Sequence, residues 1–293
     1  MSEKVCAVVV THNRKELLRE CLLALSSQTR APDHILVVDN ASTDGTYEML
    51  KMKFPEVEVL RLPENQGGAG GFHEGMKLAY EKGFDWLWLM DDDAEPMPET
   101  LAGLLKEALN NDAGVICPII VTKDGIVQNY HHKLINKRTC TEKPAISERT
   151  IKEKRRTSIR ALQIDANAFV GPLVKKDVIG KVGLPLKEAF IWGDDTEFTY
   201  RCRVNGINLV LSLDSMIYHK DKNQTTDKSL PKSQYWKVFH LAKNRIFFAK
   251  KYCGPYAVVY WFLRLFLAPL KQGNIRLLLV HMRGALYGLF RMQ

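Results

Sequence analysis

The 293-residue chain lacks several features by which other classes of protein are recognised. Its cysteines form no Cys-x-x-Cys pair, so the sequence predicts neither a zinc knuckle nor a disulfide framework. The six cysteines are scattered along the chain: Cys6, Cys21, Cys117, Cys140, Cys202 and Cys253. Several of them fall inside apolar segments, and we therefore expect reduced, buried thiols in a cytoplasmic protein.

Long apolar runs and repeats are also absent. The apolar stretch at 256–270 is interrupted by Arg264 and Pro269, whereas a membrane-spanning helix needs about 20 consecutive apolar residues. No spanning helix is therefore predicted. The first four residues run directly into an apolar strand and lack the layout of a signal peptide. At this length the chain can still bury one large core, with or without an extension.

The net charge of +9 is unevenly distributed. Residues 1–120 are near neutral or acidic, whereas 133–160 and 216–293 are rich in Lys and Arg. Such asymmetry indicates an anionic partner: nucleotide phosphates, anionic lipid or nucleic acid. No nucleic-acid-binding motif accompanies the charge, so we expect no nucleic-acid partner.

Short β-branched and apolar runs alternate with amphipathic segments in the first half of the chain. The predicted strands lie at 5–10, 35–38, 57–62, 84–90 and 115–120. This alternation predicts an α/β fold, a mostly parallel sheet flanked by helices. Ligands bind such sheets at the carboxyl ends of the strands. Thr11, Asp39, Asn65 and Asp91 each follow a predicted strand, so we expect four loops to converge on one crevice.

The second half of the chain is less regular. Residues 122–160 are polar and basic, which predicts a long loop or a hairpin excursion. A helix is expected through Arg203, followed by a short strand at 209–211 and then by residues 215–219. We place the α/β domain at 1–225 and a basic, amphipathic helical extension at 226–293. Such an extension associates with a membrane surface, packs on the α/β domain or forms a homo-oligomer.

Asp91, Asp92 and Asp93 close an apolar and aromatic run. Three negative charges at the end of a buried strand cost stability, because like charges disfavour each other's ionised forms. A divalent cation between protein and substrate phosphates removes that cost. The alternative is that the three residues only begin the next helix, since Asp is a favourable N-cap.

Other polar residues have two interpretations each. Asp39 could accept a hydrogen bond from a pyrimidine N3–H or cap a helix, and Arg14 could meet a phosphate or remain solvated. Asp194 and Asp195 could supply a general base, because adjacent carboxylates can raise one pKa, or they could cap a helix. His219 could be a metal ligand or a structural histidine.

The glycine-rich residues 67–71 superficially match a dinucleotide fingerprint. They follow the third strand rather than the first, and no suitably spaced acid follows them. NAD binding is therefore rejected. A flexible backbone close to a ligand is still expected there, because glycine permits close approach.

Five motifs, taken in order, resemble the family 2 glycosyltransferases of the inverting GT-A fold, which is Rossmann-like and binds nucleotides. The resemblance covers about residues 4–220. Within the family it is most similar to bacterial galactofuranosyltransferases, with rhamnosyltransferases close. The motifs are Val8-Val9-Val10-Thr11-His12-Asn13-Arg14, Val37-Val38-Asp39-Asn40-Ala41-Ser42-Thr43-Asp44-Gly45-Thr46, Asn65-Gln66-Gly67-Gly68, Asp91-Asp92-Asp93 and Trp192-Gly193-Asp194-Asp195.

The resemblance implies how the chain would bind a nucleotide-sugar donor. Thr11 and Asp39 would hold the nucleotide base. Arg14 and Asn65 would lie near the pyrophosphate or the donor sugar. Asp92 would face the ribose or the sugar.

The resemblance also implies a metal site and a general base. Asp195 would be the base, with Asp194 beside it and Trp192 packing on a sugar face. The family's metal motif is Asp-X-Asp, and here the middle residue is also Asp. The implied ligands of Mn²⁺ or Mg²⁺ are Asp91, Asp93 and His219.

We therefore predict an inverting, metal-dependent hexosyltransferase of bacterial surface-glycan synthesis. The preferred donor is UDP-galactofuranose and the alternative is dTDP-rhamnose. The acceptor would be a polysaccharide or a polyprenyl-diphosphate-linked glycan at the inner face of the cell membrane. Two other classes are a nucleotidyltransferase and an inactive sugar-nucleotide-binding module. The first would show a basic, glycine-rich signature after the first strand, which Thr11-His12-Asn13-Arg14 does not supply.

Overall fold

The computed structural model describes residues 3–220 and 231–292. The strands are β1 (Val5–Thr11), β2 (His34–Asp39), β3 (Glu58–Arg61), β4 (Trp86–Asp91), β5 (Ala94–Pro96), β6 (Val115–Val121), β7 (His132–Asn136), β8 (Thr141–Pro144), β9 (Ala161–Gln163), β10 (Ala166–Asn167), β11 (Leu173–Lys175) and β12 (Leu209–His219). The helices are α1 (Lys15–Ser26), α2 (Thr46–Lys53), α3 (Gly67–Glu81), α4 (Thr100–Asn110), α5 (Glu148–Arg156), α6 (Lys176–Val182), α7 (Asp194–Val204), α8 (Tyr235–Tyr252), α9 (Pro255–Lys271) and α10 (Ile275–Phe290).

The central sheet has the strand order β3-β2-β1-β4-β11-β6-β12-β5, and β9 pairs with β12. Strands β1 to β4 are parallel, as are β6 and β12, whereas β11 runs antiparallel between β4 and β6. Every residue of β1 and β6 is buried, because helices cover both faces of the sheet. The mostly parallel sheet flanked by helices that the sequence predicts is confirmed.

The two faces of β1 pack into different cores. Val5, Ala7 and Val9 share one core with the apolar residues of α1. Val8 and Val10 belong to the other core, which contains residues of α3. This alternation is the period of two that a β-strand imposes on its side chains. The strand is thereby fixed on both sides, which holds its carboxyl end in place.

The glycine-rich residues form the first turns of α3 and not a flexible loop before it. A Cβ at Gly71 would lie 2.5 Å from Cγ1 of Val10, and one at Gly75 would lie 2.5 Å from Cγ1 of Val8. Only glycine therefore lets this helix lie so close to the sheet. The expectation of a flexible segment is corrected to a rigid helix packed on β1.

Residues 122–160 form a hairpin and a helix. Strands β7 and β8 pair antiparallel, and β10 adds to β7 to make a second, three-stranded sheet. The hairpin alternative from the sequence is correct, whereas α5 was not predicted. Only Ile151 of α5 is apolar among nine residues, so no hydrophobic stripe indicated a helix.

The cysteines are not all free, which corrects the expectation from sequence. Cys140 and Cys253 form a disulfide across 113 residues, with their Cα atoms 5.9 Å apart. The pair joins the turn of the β7–β8 hairpin to the end of α8, a proximity that only the folded chain creates. Cys6, Cys21 and two others are buried and free, as expected. A structural disulfide is uncommon in a reducing cytosol.

The C-terminal helices α8, α9 and α10 pack on one another. A Cβ at Gly288 would lie 2.1 Å from the backbone oxygen of Lys243, so α10 approaches α8 closely. The expected domain boundary between residues 225 and 226 lies outside the described residues. Within the described part of the chain, no helix is both long and apolar enough to cross a bilayer.

Candidate active site

The aspartate triplet (Asp91, Asp92 and Asp93) begins at the carboxyl end of β4, beside the end of β1. The Thr11 hydroxyl donates a 2.8 Å hydrogen bond to Oδ2 of Asp92. Nη1 of Arg14 lies 3.1 Å from Oδ1 of Asp92 and 2.9 Å from Oδ2 of Asp93. The structure therefore brings Thr11 and Arg14 together with the triplet, because neighbouring parallel strands end at one edge of the sheet.

His219 completes a set of groups that fits a metal ion. It is the last residue of β12, which pairs with β5 directly after the triplet. Asp91, Asp93 and His219 each offer one ligand atom, and these atoms lie within 4.8 Å of one another. Oδ1 of Asp93 is buried and receives no hydrogen bond. Two carboxylates and one imidazole suit Mn²⁺ or Mg²⁺.

Gln128 orients the imidazole of His219, a role that no sequence motif indicated. Nδ1 of His219 lies 3.0 Å from Oε1 of Gln128. Because an amide oxygen only accepts, Nδ1 donates to it. Nε2 is then the ring nitrogen that faces the triplet, and it lies 3.2 Å from Oδ1 of Asp93. A partner on the second ring nitrogen is the usual support of a metal-binding histidine.

The pKa values show how strongly the triplet is crowded. Burial, followed by the neighbouring carboxylates, raises the pKa of Asp91 well above its usual range. Burial also raises the pKa of Asp92 to about 6, although Arg14 opposes it. For Asp93 burial acts upward, but His219 and Arg14 hold its pKa below the usual range. The electrostatic cost inferred from the sequence is thus present, and a cation would offset it.

Asp39 lies beside Thr11 in the register of β1 and β2 and is fully buried. Its Oδ1 accepts a 2.9 Å hydrogen bond from the amide of Ser42. Its Oδ2 lies 3.5 Å from Nε of Arg61 and makes no hydrogen bond. One carboxylate oxygen therefore remains available to a donor on a ligand.

Asn65 and Asn40 hold the start of α3. Oδ1 of Asn65 accepts a 2.8 Å hydrogen bond from the amide of Gly67. Asn40, which sequence reasoning did not single out, accepts from the amide of Gln66 and donates to the Gly67 oxygen, each at 2.8 Å. Asn65 thus supports the helix terminus, and the described residues show no contact between it and the aspartate triplet.

Asp194 and Asp195 are the first two residues of α7, but their environments differ. Asp194 is buried, and burial followed by the charge of Asp195 raises its pKa to about 8. Asp195 is half-buried and lines a cavity, whereas Asp194 does not. The raised pKa expected within this pair is therefore that of Asp194, and the group facing open space is Asp195.

The Asp195 cavity has a volume of about 310 Å³. Its wall combines the aromatic rings of Tyr130, Trp192 and Phe248 with carboxylate, ammonium, guanidinium and amide groups, a set able to hold the faces and hydroxyls of a sugar. It adjoins the metal-binding set, because His131 also lines it and packs edge-on against His219 at 5.1 Å. Polar and aromatic residues of the wall include Trp192, Asp195, Lys133, Glu142, Asn244 and Arg245.

A strained loop carries Trp192 into this cavity, and α8 holds the loop in place. Phe190 and Trp192 have φ angles of 63° and 61°, which are unfavourable for bulky residues. Side-chain Nδ2 of Asn244 lies 3.0, 3.0 and 2.8 Å from the backbone oxygens of Ala189, Ile191 and Trp192, which share its two protons. Asn244 was missed by sequence reasoning, since nothing in its surroundings along the chain distinguishes it.

Comparison with known proteins places this chain in a family. Residues 6–183 match the family model for glycosyl transferase family 2. The galactofuranosyltransferase GlfT1 of Mycolicibacterium smegmatis is 34% identical over 222 residues, 74% of this chain and 71% of that protein. The dTDP-rhamnosyl transferase RfbF of Shigella flexneri is 25% identical over 221 residues, 75% of this chain and 70% of that protein.

Solved structures share the fold. A crystal structure of GalNAc-T7 with UDP, GalNAc and Mn²⁺ has a TM-score of 0.68 at 16% identity, covering 99% of this chain and 56% of that chain. Residues 1–349 of S. aureus TarS give a TM-score of 0.59 at 14% identity, covering 98% of this chain and 81% of that chain. The family match spans more than half of the sequence and includes the aspartate triplet. The chain therefore belongs to glycosyltransferase family 2.

Proposed function

We propose that this glycosyltransferase moves galactofuranose from UDP-galactofuranose to a sugar hydroxyl, with inversion and with the help of a divalent metal. The observation that carries the proposal is the placement of Asp195 in a cavity that adjoins Asp91, Asp93 and His219. Similarity to galactofuranosyltransferase GlfT1 supports the choice of sugar. Similarity to a dTDP-rhamnosyl transferase supports dTDP-rhamnose as the second candidate donor.

The nucleotide base would bind at Asp39. Its buried Oδ2 lacks a hydrogen bond, and the N3–H of uracil or thymine is a suitable donor, since leaving a buried carboxylate oxygen unpaired is costly. Thr11 lies beside Asp39 and would border the base. Arg14 would lie near the diphosphate, Asn65 near the donor, and Asp92 would face the ribose or the sugar.

Asp91, Asp93 and His219 would hold Mn²⁺ or Mg²⁺. When bound, such an ion acts as a Lewis acid that stabilises negative charge on a leaving nucleoside diphosphate. Arg14 adds a second positive charge, and its side chain is 51% exposed although it pairs with two carboxylates. It can therefore turn toward a phosphate without leaving a buried site.

Asp195 would act as the general base. Its carboxylate removes the proton from the acceptor hydroxyl as that oxygen attacks the anomeric carbon, and the bond from this carbon to the diphosphate oxygen breaks. Attack and departure on opposite faces invert the configuration, so the enzyme needs no nucleophile of its own. Trp192 would pack on a sugar face, and Asp194 would support the turn into α7.

Calorimetry with UDP, dTDP and GDP, with and without Mn²⁺, tests the donor and metal assignments. We expect UDP or dTDP to bind more tightly with Mn²⁺, and Asp93→Ala to lose most of that gain. Asp177→Ala, which changes an exposed acid at the start of α6, is the control. Equal affinity with and without metal in the wild type would overturn the metal assignment. Nucleotide release from UDP-galactofuranose is then compared with release from dTDP-rhamnose to identify the donor. Release from either one also distinguishes an active enzyme from an inactive binding module.

We further propose that α9 and α10 lie on the inner face of the cell membrane, where a lipid-linked glycan acceptor would be found. Both helices expose large apolar side chains, among them Leu263, Phe266 and Leu279. Residues 231–293 contain eleven Lys and Arg and no Asp or Glu. Apolar faces flanked by positive charge favour anionic lipid, at about 1 kcal/mol per basic residue near the surface.

Sedimentation with phosphatidylglycerol and phosphatidylcholine vesicles tests membrane binding. We expect binding to the anionic vesicles only, and its loss when Leu263 and Phe266 are both changed to Ser. Leu109→Ser, which alters an exposed leucine of α4, should leave binding unchanged. Undiminished binding after deletion of 255–293 would contradict the proposal. Self-association of the vesicle-free protein through the same faces would favour a homo-oligomer instead.

A further inference from the structure

Asp195 is connected to helix α8 by a chain of polar side chains. The Thr196 hydroxyl lies 3.1 Å from Oδ1 of Asp195. Nζ of Lys133, on β7, donates to that hydroxyl at 2.6 Å. Lys133 also pairs with Oε2 of Glu142 at 3.1 Å, and Glu142 pairs in turn with Arg245 of α8. None of these four residues belongs to a motif that resembles the family.

The donor and acceptor of each hydrogen bond between Lys133, Thr196 and Asp195 follow from the chemistry of the ammonium group. An ammonium group only donates, so the Thr196 oxygen accepts from Lys133 and its single proton is free to point to Asp195. The backbone amide of Thr196 also donates to Oδ1 of Asp195, at 2.5 Å. Oδ1 therefore has two donors, whereas the described residues give Oδ2 none. The carboxylate is held with one oxygen occupied and the other available.

Opposite charges hold the polar side chains Lys133, Glu142 and Arg245 together. The side chains of Lys133, Glu142 and Arg245 are 16%, 23% and 22% exposed. Burial would raise the pKa of Glu142, but Lys133 and Arg245 lower it to about 2. Burial likewise disfavours charge on Lys133, yet Glu142 and Asp195 raise its pKa. All three groups are thus charged at neutral pH, and removing one would leave another charge unpaired in a protected site.

We propose that Lys133 and Thr196 are positioning residues that aim Oδ2 of Asp195 into the Asp195 cavity, with Glu142 and Arg245 holding Lys133 in place. The inference rests on the proposed role of Asp195 as base and extends it to the hairpin and α8. Arg245 and Asn244 are consecutive on α8, so this helix acts on the base through the polar chain and on Trp192 through the loop. Small displacements of a reacting group cost about 10²-fold in rate.

Thr196→Val and Thr196→Ser form the matched test, because valine keeps the shape of threonine and serine keeps the hydroxyl. The assay measures nucleotide release from UDP-galactofuranose in the presence of Mn²⁺. The sugar acceptor is water or an octyl glycoside of rhamnose, galactose or N-acetylglucosamine. If calorimetry selects dTDP, dTDP-rhamnose replaces UDP-galactofuranose as the donor. We expect Val to lower kcat by roughly 10- to 100-fold. Ser should stay within about 3-fold of wild type, and both should keep the donor KM within about 2-fold and an unchanged Tm.

A role in packing alone predicts a different result. If Val and Ser reduce kcat equally, or if neither reduces it, the positioning role is overturned. Should Thr196→Val fail to fold, Lys133→Met removes the donor to the hydroxyl and carries the same expectation, with Lys133→Arg as its conservative partner. Asp195→Asn separates this inference from the proposed function. Full turnover of Asp195→Asn would show that Asp195 is not the base. If Asp195→Asn is inactive but Thr196→Val is fully active, only the positioning role is wrong.

Discussion

The proposed donor side and the proposed acceptor side of this molecule are built in different ways. On the donor side, Thr11, Asp39 and Asp91 end neighbouring parallel strands, so the backbone itself delivers them to one edge. On the acceptor side, the Asp195 cavity takes its wall from a hairpin, a strained loop, α7 and α8. There the side chains hold one another through hydrogen bonds and ion pairs. Changes on the donor side should therefore act on binding, and changes on the acceptor side on turnover.

The largest expected effect comes from Asp195→Asn. An amide cannot remove a proton, and general-base catalysis contributes about 10²- to 10⁴-fold. We expect nucleotide release to fall by that factor while calorimetry finds donor affinity within about 3-fold of wild type. If donor affinity falls together with turnover, Asp195 contributes to donor binding as well, and the contrast between the two sides does not hold at this residue.

A smaller effect is expected from Gln128→Leu on the donor side. The change removes the acceptor that fixes the proton on Nδ1 of His219. Loss of such a partner typically costs about 10- to 100-fold in metal affinity. Titration of Mn²⁺ into the UDP complex measures it, with Gln163→Leu, at an exposed glutamine of β9, as the control. Unchanged Mn²⁺ affinity would remove His219 or Gln128 from the metal site.

A third effect, on stability rather than on binding or turnover, concerns pH at Asp194. Its pKa is about 8 in the folded protein and about 4 when unfolded. Folding therefore binds a proton in this window, so the contribution to stability is complete below pH of about 4 and is lost as the pH rises through about 8. The Tm of Asp194→Asn should therefore rise relative to that of wild type between pH of about 5 and about 8. The rise should be roughly 2–4 °C for each kcal/mol of stability that the wild type loses.

The control for this prediction is Asp177→Asn, at an exposed carboxylate. Its Tm difference from wild type should not vary over the same pH range. A pH-independent difference for Asp194→Asn would mean that Asp194 is ionised when folded, and the division of roles within the acidic pair would then be wrong.

The same contrast explains what could be read from the sequence. Strands β1, β2, β4 and β6 were predicted because fully buried parallel strands are continuous apolar runs. The resemblance to the family implied Asp91, Asp93 and His219 as one set of metal ligands, and the structure brings these three side chains together. Asn244 and the Cys140–Cys253 pair could not be found this way, because their partners lie 52 to 113 residues away and meet only through tertiary packing.

Helix α8 touches α10 on one side and the Asp195 cavity on another, with Gly288 pressed against the backbone of Lys243. Thermodynamic linkage between two such neighbours is reciprocal. If binding of α10 to a bilayer shifts α8, it changes the affinity of the cavity for its sugar. Filling the cavity must then change the affinity for the bilayer by the same factor, so the affinity for vesicles would report occupancy of the proposed catalytic centre.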